Sequence, residues 1–278
     1  MQSTDAGSTW GILQDFGPPG SSMGTCTNSL GVVESRMIDS ASLLNVTLTQ
    51  GALYSVTQLA MFGGANHFAY GADGRWEIIA AQTCTLVSGK SYALTNLLRG
   101  RFGTEWAMGL HAVSDALILL DTTDVAAIEM GSGTIGLSYL YRGITIDQDI
   151  STDSDRSFAY SGVNLKPLSP VYLNGSRDPS SGDWTLTWIR RTREGGEWRD
   201  YVDASLGETS EAYQIEIYAN GTYATVKRTI SATSPTASYT SANQTADFGS
   251  NQSTLYLKIY QMSAVVGRGY PLTQSITR

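Results

Sequence analysis

Along Trp184-Thr-Leu186-Thr-Trp188, large apolar side chains alternate with threonine, and the same period of two returns elsewhere. Leu44, Val46 and Leu48 face one way while Asn45, Thr47 and Thr49 face the other; Ile215 and Ile217 alternate with Gln214 and Glu216. A period of two places successive side chains on opposite faces of an extended chain, so each run is a half-buried strand rather than the face of a helix. No apolar pattern of helical period extends beyond two turns. Trp184 and Trp188, on one face of their strand, are core candidates.

Turn chemistry separates these runs. Gly71-Ala72-Asp73-Gly74 lies between Phe68-Ala-Tyr70 and Trp76-Glu77-Ile78-Ile79, and residues that tolerate positive φ predict a hairpin there. Asn220-Gly221 predicts a second hairpin, between 213–218 and 223–227. Further strand-like runs lie at 83–87, 92–94, 116–120, 128–130, 134–141, 255–261 and 272–276. Many short strands at this spacing predict an all-β chain: a β-barrel or β-sandwich domain followed by a second, immunoglobulin-like sandwich.

Residues 1–43, rich in Gly, Ser and Pro around Gly17-Pro18-Pro19-Gly20-Ser21-Ser22, read as an extended, loop-rich segment. Residues 44–160 read as the first β domain and 161–278 as the second. Asp147, Asp149, Asp153 and Asp155 lie in a polar interval that reads as a solvated linker. It lacks the central Gly and terminal Glu of an EF-hand loop. Low charge, at 15%, and 29 glycines suit strands and turns.

A net charge of −7 and the absence of a long Lys/Arg cluster argue against a nucleic-acid surface. No apolar run reaches the length of a membrane-spanning helix, and the first residues lack the basic and apolar regions of a signal peptide. Cys26 and Cys84 have no metal-ligand spacing and read as buried thiols, with a single bridge as the alternative.

Catalytic constellations are equally sparse. His67 and His111 sit among apolar neighbours and read as hydrogen-bonded core or loop histidines. There is no Gly-x-Ser-x-Gly and no phosphate loop. Glu77, Glu105 and Asp115 could pair for glycan cleavage, yet read as surface or turn carboxylates. The expectation is a protein with no catalytic residue, metal or cofactor.

The most specific string is Leu97-Leu98-Arg99-Gly100-Arg101-Phe102-Gly103-Thr104-Glu105-Trp106. Its glycines permit a sharp bend, and the planar fork of Arg99 or Arg101 can grip Glu105 or a neighbouring chain's carboxylate. These three residues are therefore candidates for fixing the loop or contacting another subunit.

With Gly64-Ala65-Asn66, Glu77-Ile78-Ile79 and Tyr92-Ala-Leu94 before it and His111 after it, that string resembles the C-terminal region of tail-tip hub proteins of gene transfer agents and siphophages. Trp188-Ile-Arg190-Arg191-Thr-Arg193, Trp198-Arg199-Asp200, Leu206-Gly207-Glu208 and Ile215-Glu216-Ile217 are similar to that family's fibronectin type III-like module. Family members are usually far longer, so the chain corresponds to a separate subunit or a C-terminal portion.

The resemblance implies a virion structural protein at the distal tail tip, assembled in the host cytoplasm as a homotrimer. Its partners would be other tail-tip or baseplate proteins and a host cell-surface glycan or protein receptor. Tyr172, Trp198 and Tyr201 are candidate surface-binding aromatics. The alternatives are a carbohydrate-binding or glycan-cleaving tail protein, and a spacer between hub and fibre.

Overall fold

The computed structural model describes residues 1–278 apart from 16, 18, 19, 122–124, 126 and 197–200. It divides into two units, Met1–Ser161 and Gly162–Arg278. Both are built from strands.

The first unit contains β1 (Gln2–Ser3), β2 (Met23–Cys26), β3 (Leu44–Gln50), β4 (His67–Gly71), β5 (Glu77–Ser88), β6 (Ser91–Arg101), β7 (Ala116–Leu119), β8 (Ser138–Tyr141) and β9 (Arg156–Ala159). Six of them close into a barrel in the order β2-β3-β6-β5-β4-β7, every neighbouring pair antiparallel. Closure removes the open edges that a sheet would otherwise expose. Leu44, Val46, Leu48, Phe68, Tyr70, Ile79, Leu94, Leu97 and Leu117 fill the interior. A barrel this small is packed with side chains and has no lumen.

Several expectations change at this level. The runs at 76–79 and 83–87 belong to one strand, β5, because Ala80-Ala81-Gln82 carries no turn residue between them. β6 likewise continues from Ser91 through Arg101, and Gly89, at φ +55°, turns the chain between the two. Residues 128–130 form no strand. The alternation read over 134–141 contracts to β8, since Gly131, Gly133 and Gly136 precede it and Gly136 adopts φ +80°.

Residues 1–43 are more than an extended lead. β1 pairs with β8, and β2 is a full barrel strand between β3 and β7. Gly24 permits that insertion, because a Cβ there would lie 2.7 Å from Leu48 Cα. The acidic interval also proves to be the β8–β9 connection, inside the first unit and pinned at both ends. Arg142 Nε donates to Asp155 at 2.6 Å, and Arg156 Nη1 donates to Asp153 at 2.8 Å.

Helix α1 (Gln58–Phe62) begins where Thr57 Oγ1 accepts from Ala60 N at 3.1 Å. This N-cap satisfies a backbone donor the helix cannot pair internally. Met61 then anchors the helix on Ala80 and Leu98, in a small cluster separate from the barrel core.

The second unit contains β10 (Val171–Arg177), β11 (Trp184–Ile189), β12 (Tyr213–Tyr218), β13 (Val226–Ala232), β14 (Thr236–Tyr239), α2 (Ser241–Phe248), β15 (Thr254–Ser263), β16 (Gly267–Arg268) and β17 (Leu272–Thr277). One sheet has the order β10-β11-β14 and the other β13-β12-β15-β17, with β16 pairing at the end of β15. With the two-residue β16 left out of the count, the strands numbered by sequence run 1-2-5 in one sheet and 4-3-6-7 in the other, the fibronectin type III arrangement. Trp184, Leu186 and Trp188 from one sheet meet Ile215, Ile217, Leu257 and Ile259 from the other. The period-two faces read from sequence are the faces that bury.

Candidate functional site

The signature string occupies the end of β6 and the turn after it, and it is organised around Glu77. Glu77 Oε1 accepts from Arg99 Nε and from Gly100 N, each at 2.8 Å. Oε2 accepts from Arg99 Nη2 at 2.8 Å and from His111 Nε2 at 2.7 Å. Four donors use the full accepting capacity of the carboxylate. The side chains of Glu77, Arg99 and His111 are all sealed from solvent.

The cluster extends in two directions. On one side Arg99 Nη1 lies 3.8 Å from Asp39 Oδ2, while Asp39 Oδ1 accepts from Ala41 N and Ser42 N. On the other, His111 Nδ1 faces Asp115 at 3.5 Å, and Arg75 grips Asp115 with both arms of its guanidinium. The Tyr70 ring stacks on the His111 imidazole, with centroids 3.9 Å apart. Carboxylates thus alternate with hydrogen-bond-donating arginine and histidine side chains through the group, the arrangement that makes burying charge tolerable.

Burial alone would push the Glu77 carboxyl up. The hydrogen bonds from His111 and Arg99 outweigh it, and the group lies below the ordinary carboxylate range. Asp115 follows the same logic: desolvation raises it, but the Arg75 hydrogen bonds prevail and its pKa is lowered. Both are held as carboxylates.

The turn itself is locked. Thr104 Oγ1 accepts from Ile78 N at 2.9 Å and donates to Arg101 O at 2.7 Å. Gly100, Phe102 and Gly103 adopt φ of +60°, +55° and +82°. Glycine takes such values freely, whereas at Phe102 they are a strain the surrounding contacts must hold.

Arg99 forms its clamp with an acid other than Glu105. Arg99 takes Glu77, two strands' worth of sequence away, and not Glu105, whose side chain instead lies against Gly100. Arg101 is half-buried, with its guanidinium 5.9 Å from the Phe102 ring. Glu77 is also no surface carboxylate. The signal lay in the strand period: Glu77 shares a face with Ile79, and Arg99 with Leu97, so opposite charges stood on the buried faces of neighbouring strands. Asp39 and Arg75 carried no comparable mark.

Chemically, the cluster is framework. A carboxylate saturated by four donors and shut away from solvent neither attacks a substrate nor exchanges a proton with one. Among the described residues, no group of three or more His, Cys, Asp or Glu is placed to hold a metal ion. Among these residues, too, no helix is long and apolar enough to cross a membrane.

Residues 21–118 match the family described as Rcc01698-like, C-terminal. The family is named for a gene-transfer-agent-associated protein, a phage-like context. The matched segment begins two residues before β2 and ends within β7, so it is the closed barrel, with the Glu77 cluster inside it. No curated protein matches the chain. Among solved structures, the chain is similar to the FN5 domain of Drosophila Lar, with 9% identity, a TM-score of 0.25, and coverage of 40% of this chain and 95% of that one. It is also similar to domains A168-A170 of titin, with 8% identity, a TM-score of 0.28, and coverage of 93% and 99%. The sandwich assignment rests on its own strand order.

The candidate surface aromatics lie in the second unit. Tyr172 is exposed on β10, at φ +53°, where the pairing with β11 shifts register between Val171 and Asn174. Tyr201 is fully exposed in the connection after β11. Trp198 lies outside the described residues.

Proposed function

We propose that this chain is a structural subunit of the distal tail tip of a phage-like particle, contributing to attachment at the host surface. The match of the barrel segment to a family from a gene-transfer-agent context carries the reading. What the signature string does is consistent with it: its conspicuous residues build a rigid barrel rather than a reaction centre. A barrel followed by a fibronectin type III-like sandwich suits a part that transmits position and presents loops from a stiff scaffold. Its partners would be neighbouring tail-tip proteins, further copies of itself in a homotrimer, and a glycan or protein on the host cell.

The test has two readouts. Antibody labelling of intact particles should decorate the tail end, and fluorescent purified protein should bind host cells saturably. Label absent from particles would sink the reading. Tail-end label without cell binding would replace attachment with a spacer between hub and fibre.

A further inference from the structure

No Asp, Glu, Lys or Arg stands between Asp39 and Asp73, in a chain whose net charge is −7. Within that charge-free stretch the chain exposes large apolar side chains together. Leu59 and Phe62, at i and i+3 on α1, share one side of the helix and are 81% and 52% exposed, while Met61 anchors the opposite side. Tyr54, 75% exposed, is tied to the same corner by its carbonyl, which accepts from Asn66 Nδ2 at 2.6 Å.

Phe102 joins them from the signature turn. Its ring lies 5.5 Å from that of His67, whose Nδ1 donates to Gly64 O at 2.6 Å, just past the end of α1. Phe102 is 70% exposed in a strained conformation. The charge beside its ring is a cation, Arg101.

We propose that this corner of the barrel, formed by Tyr54, Leu59, Phe62 and Phe102, is the surface through which copies of this chain associate. Two acidic chains repel wherever their carboxylates approach, and a corner built on the charge-free stretch, with the Arg101 cation beside it, is where they can meet with little of that cost. Depletion of charge with enrichment of aromatic residues and arginine is also the composition of an interface core. The four side chains expose roughly 500 Å² of mainly apolar surface, from typical side-chain areas. That is below the ~800 Å² each partner buries in a standard interface, so association through this corner is concentration-dependent. It rests on the tail-tip reading only for the expectation that copies assemble.

Sedimentation equilibrium of the full chain tests it. The mean mass should rise above 29.9 kDa with concentration, and Phe62→Glu should hold it at the monomer value throughout. Phe102→Gly, which removes the ring and relieves the backbone strain, should do the same while leaving the melting temperature unchanged or raised. A monomer at every concentration, or association undiminished by both variants, overturns the proposal. Monomeric chain that co-floats with phosphatidylcholine vesicles also overturns it, assigning the corner to a lipid surface. Loss of tail-end labelling alone would remove the tail-tip reading and leave these masses unaffected.

Discussion

Arg99 and Glu77 face each other on adjacent barrel strands, and Nε and Nη2 of the one donate to the two carboxylate oxygens of the other at 2.8 Å. Neither side chain reaches solvent. Removing one partner strands a charge inside the barrel, at a cost of about 3–5 kcal/mol. Arg99→Met and Glu77→Leu should each lower stability by that amount in chemical denaturation. Arg99→Lys should recover little, since an ammonium has no planar fork to span both oxygens.

Acid should loosen the same cluster. The folded-state pKa values of Glu77 and Asp115 are depressed, so each contributes stability that is fully present above the unfolded carboxylate pKa of about 4. That contribution disappears as pH falls through the lower folded values. Melting temperature followed from pH 7 downward should stay level and then drop below about pH 4. An Arg75→Gln variant should be less stable at pH 7 and show a smaller drop on acidification, because Asp115 loses the groups that hold its folded-state pKa below the unfolded value.

Gly100 should tolerate no side chain. Its φ is +60°, and a Cβ would fall 2.5 Å from Met108 Cε and 2.6 Å from Glu105 Cγ. Gly74 has φ +80° with open space around it. Gly74→Ala should therefore cost only the backbone strain, about 1–2 kcal/mol, and Gly100→Ala clearly more. Equilibrium unfolding of the two variants side by side makes the comparison.

Cys26 and Cys84 are unbridged and buried, and burial pushes both thiols up to about 12. The thiolate is the reactive form, so neither should be alkylated by iodoacetamide in the native protein at pH 8. Both should react once the chain is unfolded. Rapid native labelling of either would mean that the barrel opens far more readily than its packing implies.

The amino-acid sequence by itself determined several of the strands and their buried faces. Alternation at Leu44 to Leu48, Trp184 to Trp188 and Tyr213 to Ile217 is a local property: a period of two survives whatever the strand later pairs with. The hairpins at Gly71 to Gly74 and around Asn220-Gly221 were legible for the same reason, since turn residues act on their immediate neighbours, although the second returning strand runs from Val226 to Ala232 and not over 223–227. Tertiary structure alone decided that six strands close into a barrel and that Met23–Cys26, which has little apolar pattern, fills the gap between β3 and β7. It also decided that Arg99 takes Glu77 as its partner. Closure and partner choice depend on the register between strands far apart in the chain, and register is set by how all the faces pack together, which no single stretch of residues encodes.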